Sequence, residues 1–212
     1  LGQPDLASLH RAIDLDPNLV LGPYFLGVAY RDLGHPELAR VAFEQALRLD
    51  PYNPALGVDI AQTYLAEPDY VAAEAWLQAA VEQAPDDPAF QLILARFYVD
   101  YLIAVPEKGV PAAERAVELA PDSAEAHDVL GWAYALSGRL LDAETELREA
   151  LRLNPDLVSA HYHLGSVYAQ LGQSVIARQY YTRVLDLDTT GRYRARAEQA
   201  LKALQPVSYT HL

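Results

Sequence analysis

The chain has 212 residues, 51% of them hydrophobic and 21% charged, with a formal net charge of −13 at pH 7. This composition is typical of a globular protein with a sizeable core and excludes disordered or collagen-like chains. The negative charge disfavours nucleic acid as a partner, and the absence of Cys excludes disulfides and thiolate metal sites. No apolar run is long enough for membrane insertion. We therefore expect a soluble protein, with the cytoplasm slightly favoured over the periplasm.

The first predicted element is a helix in residues 1–19, within the phrase PDLASLHRAIDLDP. Similar phrases recur along the chain, and the Pro that closes each one returns at intervals of 34, 34, 36 and 34 residues. These prolines are Pro17, Pro51, Pro85, Pro121 and Pro155. A series of tyrosines keeps the same intervals, namely Tyr30, Tyr64, Tyr98, Tyr134 and Tyr168. A fixed period of this length indicates a repeat architecture.

The sequence of residues 20–53 predicts the secondary structure of one repeat. Leu26 and Tyr30 belong to an apolar series at helical spacing, which predicts a first helix. Gly34 and then Pro36 supply a helix stop followed by a helix start. A second helical run ends at Asp50, because a residue before Pro is pushed out of the helical conformation. Each unit is therefore predicted to be a helical hairpin that must stack on its neighbours to bury both faces.

These positions resemble the tetratricopeptide repeat (TPR), whose 34-residue signature is W-x2-L-G-x2-Y followed by A-x3-F, A and P. The Leu, the small residue and the Tyr match in all five units, which are residues 20–53, 54–87, 88–123, 124–157 and 158–191. The opening Trp is replaced throughout, by Pro23, Gly57, Gln91, His127 and His161. The resemblance implies an all-α right-handed α-solenoid of about 12 helices, from a bacterial or metagenomic source.

The same resemblance organises the ends and the irregular third unit. Residues 1–19 are predicted to be a truncated half repeat, residues 192–204 a C-terminal capping helix, and residues 205–212 a tail of non-native origin. The chain has no Met, so we expect it to be a fragment or a processed product. The third unit contains two extra residues; we expect VDYLIAV to extend its first helix, and Pro106, Gly109 and Pro111 to delay its second.

The sequence shows no catalytic apparatus. It contains no G-x-G-x-x-G and no P-loop. His161 and His163 are two residues apart, which places them on different faces of a helix, while His127 and His161 occupy the Trp position of the signature and are predicted to pack within the hairpins. The prediction is a protein that is not an enzyme and has no catalytic residue, cofactor or metal site. The basic helix at 192–204 is interpreted as a solvated cap rather than a nucleic-acid patch.

The resemblance implies that the first helices line a concave groove that binds peptides. Its groove positions fall on Tyr24, Val28, Arg31, Val58, Gln62, Leu65, Leu92, Arg96, Val99, Asp128, Trp132, Leu136, Tyr162, Ser166 and Gln170. Tyr24, Trp132 and Tyr162 are candidate anchors for a partner, with packing inside the array as the alternative for each. The mostly apolar surface predicts an apolar or amphipathic protein or peptide partner.

The sequence leaves three alternative functions open. The first is a non-catalytic scaffold that binds a partner in the groove. The second is the repeat arm of a larger bacterial enzyme, such as a glycosyltransferase, and the third is an oligomerising spacer. The Lys/Asn/Arg clamp of chaperone-tail TPR domains is absent, since the corresponding positions read Tyr24/Val28, Val58/Gln62 and Leu92/Arg96.

Overall fold

The computed structural model describes residues 5–204, and over this range the chain forms 12 α-helices and no β-strand. The helices are α1 (Leu6–Leu15), α2 (Leu21–Asp32), α3 (Pro36–Leu49), α4 (Pro54–Ala66), α5 (Tyr70–Gln83), α6 (Pro88–Asp100), α7 (Val110–Leu119), α8 (Ala124–Leu136), α9 (Leu140–Leu153), α10 (Val158–Gln170), α11 (Ser174–Leu187) and α12 (Arg194–Ala203). The prediction of an all-α fold with about 12 helices is confirmed. The predicted tail, residues 205–212, lies outside the described residues.

Residues in the turns determine where the helices begin and end. The turns after α2, α8 and α10 contain Gly34, Gly138 and Gly172, with φ of 77°, 79° and 74°. This left-handed backbone is the usual helix C-terminal conformation, and it favours glycine because a Cβ would be strained there. At the helix starts, the side chains of Asp69 and Ser123 accept hydrogen bonds from backbone N–H groups of α5 and α8.

The chain divides into two compact units, Leu1–Phe90 and Gln91–Leu212, here called the N-terminal and C-terminal units. In the N-terminal unit the pairs α2/α3 and α4/α5 pack as hairpins. Its core contains Phe43 and Ile60, both with no exposed surface, together with Ala39, Ala46 and Leu56. Small residues let the helices approach closely, and the large side chains fill the space between hairpins.

The C-terminal unit contains the hairpins α8/α9 and α10/α11, with α12 packed against α11. Its fully buried side chains include Leu147, Leu164 and Val184. Gly131 of α8 lies where α9 comes closest, because a Cβ there would be 2.6 Å from Cγ of Leu147. The core of this unit is therefore built across the hairpins and leaves no room for larger residues at such positions.

The expected extension of the first helix in the third unit is wrong. Helix α6 ends at Asp100 and has 13 residues, as α4, α8 and α10 do. Leu102 and Ala104 have left-handed backbones, with φ of 55° and 41°, which a continuing α-helix does not allow. The extra residues instead form this turn and a π-helical segment, Val105–Gly109. The second helix, α7, begins at Val110, so the predicted delay is observed.

Candidate functional site

In the C-terminal unit, the first helices of the hairpins and the turn before α12 enclose a cavity of about 230 Å³, here called the aromatic cavity. It is lined by Arg96, Val99 and Asp100 of α6, Glu125, Asp128, Val129 and Trp132 of α8, Leu157, Ser159 and His163 in and before α10, and Arg192 and Tyr193 before α12. A wider adjoining cavity of about 440 Å³ shares six of these residues and adds Tyr101, Leu102, Tyr162 and Arg196. Five aromatic rings and several charged groups therefore border these two adjoining cavities.

A buried polar pair fixes the centre of the aromatic cavity. Nδ1 of His163 lies 2.8 Å from Oδ1 of Asp128, and the two residues are only 8% and 3% exposed. A carboxylate oxygen can only accept, so Nδ1 donates the hydrogen, and Nε2 of the neutral ring is then an acceptor. The imidazole is therefore held in one orientation and one tautomer by a side chain of the neighbouring hairpin.

Trp132 rests on this fixed imidazole. The two rings are nearly parallel, with an interplanar angle of 8° and centroids 4.4 Å apart. Tyr193 presents its ring perpendicular to His163, at 87° and 5.9 Å. Trp132 itself is only partly buried. One face of the indole is thus used within the protein, and the rest of the ring borders the cavity.

Tyr162 closes the outer side of the cluster. Its ring centroid lies 5.3 Å from that of Tyr193 and 5.8 Å from that of Tyr181. Tyr181 donates from its hydroxyl to Oγ of Ser166 at 3.1 Å, and Ser166 donates to the carbonyl oxygen of Tyr162 at 3.0 Å. Burial raises the pKa of Tyr193. These contacts hold the tyrosines in place before any partner arrives.

The turn between α11 and α12 forms one wall of the cavity, and Asp188 holds it. Its carboxylate accepts from the backbone N–H groups of Thr190, Gly191, Tyr193 and Arg194, at 2.6 to 2.9 Å, and from the Thr190 hydroxyl at 2.8 Å. Burial alone would raise the pKa of Asp188, but these hydrogen bonds outweigh burial and lower it well below the ordinary value. Asp188 thereby sets the position of Tyr193.

The structure gathers only part of the predicted groove in the C-terminal unit. Arg96, Val99, Asp128, Trp132 and Tyr162 line the two cavities. Val99 and Asp128 are buried, so little of their surface is available to a partner. Neither of these cavities is lined by the remaining predicted residues of this unit, which are Leu92, Leu136, Ser166 and Gln170.

In the N-terminal unit, most of the predicted groove residues are engaged in contacts within the protein. Arg31 donates to Asp59 at 2.7 Å and to Gln62 at 2.9 Å. Tyr24 and Val28 pack against the hydrophobic core, and each also borders a cavity, of about 220 Å³ for Tyr24 and about 380 Å³ for Val28. Val58 is buried, and Leu65 is partly buried.

The residues that line the two cavities and that sequence reasoning missed include His163, Tyr193, Arg192 and Arg196. His163 was compared only with His161, and its contact with Asp128 was not anticipated, because His163 follows the groove residue Tyr162 and is not itself a predicted groove position. Tyr193, Arg192 and Arg196 were assigned to a solvated cap. The two Arg side chains are exposed, but they border the cavities, so that interpretation is incomplete.

His127 and His161 are held by hydrogen bonds to backbone carbonyl groups of their own repeats. Nε2 of His127 donates to the carbonyl oxygen of Pro121 at 2.9 Å, and Nε2 of His161 donates to that of Pro155 at 2.8 Å. Burial lowers the pKa of His161.

Among residues 5–204, no three His, Cys, Asp or Glu side chains are grouped so as to hold a metal ion. None of the helices in that range is long and apolar enough to cross a bilayer.

Comparison with known proteins identifies the class. Tetratricopeptide repeat models match residues 30–97 and 158–190, and a TPR repeat model matches residues 131–172. The chain belongs to the tetratricopeptide repeat family. This fold is in general a non-catalytic scaffold for protein–protein interaction. No curated protein matches the sequence.

Solved structures of TPR proteins share the fold. A thermophilic TPR protein of Thermus thermophilus is 25% identical with a TM-score of 0.69, over 86% of this chain and 99% of that one. YrrB, a TPR protein with an unusual peptide-binding site, is 19% identical with a TM-score of 0.63, over 90% and 97% of the two chains. MamA of Desulfovibrio magneticus is 21% identical with a TM-score of 0.64, over 88% and 97%.

Proposed function

We propose that this chain is a non-catalytic scaffold that binds a peptide or a segment of a partner protein at the aromatic cavity. The observation that carries the proposal is Trp132, which is partly exposed at a concave surface while its ring is stacked on an imidazole that Asp128 holds in place. Trp and Tyr are enriched among residues that dominate binding energy, and a ring that is already ordered loses little entropy on binding.

The size of the aromatic cavity suits one side chain of a partner. Its volume of about 230 Å³ is below the roughly 300–1,000 Å³ of typical small-molecule pockets, and the adjoining cavity of about 440 Å³ has room for neighbouring residues of the same segment. Leu157 and Trp132, both partly exposed, contribute apolar surface to its lining, while Val99 and Val129 are buried behind them. One apolar side chain of a partner would bury against Leu157 and Trp132, while the rest of the segment runs over the surface formed by the first helices.

The test uses the two Trp residues of the chain, Trp76 in the N-terminal unit and Trp132 at the cavity. Their indole N–H groups give two resonances, which can be assigned with the Trp132→Phe variant. The probe is the N-acetylated, C-amidated tetrapeptide Ala-Ala-Phe-Ala, with Ala-Ala-Ala-Ala as the control. We expect the Phe peptide to shift the Trp132 resonance in a saturable way and to leave the Trp76 resonance unmoved.

A Trp132→Ala variant separates an anchoring role from packing. If Trp132 is an anchor, its removal weakens binding by about 2 kcal/mol or more while the thermal melt changes little. A large drop in melting temperature would show that Trp132 serves the fold. Equal shifts of the two indole resonances, or none with the Phe peptide, would refute the cavity as the binding site.

A further inference from the structure

Nε2 of His163 is a hydrogen-bond acceptor that no group of the protein uses. Nδ1 of the same ring donates to Asp128 at 2.8 Å, which leaves a lone pair on Nε2 of the neutral imidazole. Among residues 5–204, no donor forms a hydrogen bond with Nε2. His163 is only 8% exposed, and most polar groups in buried side chains have a partner. This ring therefore lacks the donor that a buried imidazole ordinarily has.

The unpartnered nitrogen of His163 is accessible, whereas that of His161 is not. In the described part of the chain, Nδ1 of His161 is the one side-chain nitrogen or oxygen that is both sealed from solvent and without a partner. Nε2 of His163 also has no partner but is not sealed in this way, so it retains accessible surface. His163 lines the aromatic cavity and the wider cavity beside it. A group bound in these cavities can therefore reach Nε2.

The surroundings of His163 hold this acceptor ready for a ligand. Asp128, itself 3% exposed, keeps the hydrogen on Nδ1, and Trp132 stacks on the imidazole with ring centroids 4.4 Å apart. A purely apolar occupant would displace water from Nε2 and supply no donor in its place. An acceptor buried without a partner costs free energy, so a site of this kind discriminates against ligands that lack the donor.

We infer that the side chain bound in the aromatic cavity is a tyrosine, whose ring lies against Trp132 and Leu157 and whose hydroxyl donates to Nε2 of His163. This inference rests on the proposed function and names the side chain that its partner presents. Tyr joins an apolar ring to a hydroxyl that finds a partner when it is buried. A neutral donor also agrees with the charges of the two linings, in which three Arg are matched by three carboxylates.

The experiment compares three capped tetrapeptides, Ala-Ala-Tyr-Ala, Ala-Ala-Phe-Ala and the analogue with O-methyltyrosine in place of Tyr. Each is titrated into the whole chain at about pH 8, where histidine of ordinary basicity is neutral, and followed by the Trp132 indole resonance. Phe is smaller than Tyr and O-methyltyrosine is larger, and neither side chain can donate. We expect the Tyr peptide to bind about two to ten times more tightly than both, which corresponds to one net hydrogen bond.

The ring nitrogens of His163 provide a second readout. In the free protein, we expect the ¹⁵N spectrum to show a protonated Nδ1 and an unprotonated Nε2. The Tyr peptide should move the Nε2 resonance toward the protonated position, because Nε2 then accepts a hydrogen bond, and the O-methyltyrosine peptide should not. Two protonated nitrogens in the free protein would overturn the inference.

Variants locate the contact. The double variant His163→Phe/Asp128→Leu removes the acceptor, keeps a ring beneath Trp132 and leaves no buried carboxylate without its partner. This variant should lose the preference for Tyr. Asp100→Ala is the control, because Asp100 is an exposed carboxylate at both cavities that could accept from the same hydroxyl; it should keep the preference. Thermal melts verify the fold, and if a variant fails to fold, the wild-type titrations and ¹⁵N spectra decide.

The outcomes separate this inference from the proposed function. Equal affinity for the three peptides, or a ranking that follows side-chain size, would overturn the tyrosine specificity and leave the cavity as a binding site. A preference for Tyr that survives in the folded double variant, or that is lost in Asp100→Ala, would place the hydroxyl elsewhere and would also overturn the inference. The absence of any shift with all three peptides would refute both proposals.

Discussion

Close packing at Gly131 gives the sharpest test of the fold. A Cβ added there would lie 2.6 Å from Cγ of Leu147 and 3.1 Å from the carbonyl oxygen of Ala143. Leu147 is fully buried, so it cannot move out into solvent to make room. Overpacking of this kind costs about 1–3 kcal/mol, and replacing a mid-helix Gly by Ala returns about 1 kcal/mol of helix propensity. We therefore expect Gly131→Ala to lower the free energy of unfolding by about 1 kcal/mol.

Gly57 is a matched control, because it is also a buried glycine inside a first helix. A Cβ there would lie 3.5 Å from the carbonyl oxygen of Trp76, which is an ordinary contact. Without overpacking, the helix-propensity gain remains, and Gly57→Ala should stabilise the protein by up to about 1 kcal/mol. The two identical chemical changes should thus have opposite signs.

Denaturant unfolding followed by far-UV circular dichroism measures both variants against the wild type. In a chain of this size, 1 kcal/mol corresponds to a shift of about 2–4 °C in melting temperature. Gly131→Leu adds three further carbons and should lower stability more, by about 3 kcal/mol. If Gly131→Ala stabilises the protein as much as Gly57→Ala does, the close approach of α8 and α9 at Leu147 is wrong.

Three further predictions concern charge, ionisation and turn geometry. Asp188→Asn should destabilise the protein at pH 7, whereas the control Asp186→Asn should not. Because the pKa of Asp188 is lower in the folded state, its stabilising contribution is present above the unfolded pKa of about 3.9 and is lost as the pH falls below that value. The melting temperatures of the wild type and of Asp188→Asn should therefore converge in acid. Burial and the hydrogen bond to Glu114 raise the pKa of Tyr134 to about 12, so the wild type should lose stability relative to Tyr134→Phe as the pH rises above about 10, the unfolded value; parallel pH profiles would contradict this. Gly138→Ala should lower the melting temperature by several degrees, because φ is 79° there and a left-handed L-residue costs about 1–2 kcal/mol; an unchanged melt would show that the turn relaxes.

Local sequence was enough to predict the helices. The helix ends depend on Pro and Gly at fixed spacing, and their effect on the backbone acts within a few residues. The exception is the third unit, where the composition of VDYLIAV favours a helix. Leu102 and Ala104 instead adopt left-handed backbones, a conformation that neither residue type favours and that the sequence therefore does not predict. Where the chain must accommodate two extra residues between packed helices, the surrounding structure decides the conformation.

The candidate site shows the same division. The resemblance to the TPR signature placed Trp132 and Tyr162 among the expected groove residues, because it assigns fixed repeat positions to one face of the first helices. It could not show that Trp132 stacks on His163, since that contact needs the exact offset of neighbouring hairpins. Nor could it bring Tyr193 to the cavity, because that depends on Asp188, whose carboxylate accepts hydrogen bonds from the backbone N–H groups of Tyr193 and Arg194 in the turn before α12. The sequence determined which residues form the repeated surface, and tertiary packing decided which part of that surface becomes a cavity. The contacts that form the cavity join residues of different repeats, and no local sequence pattern predicts which of these residues meet.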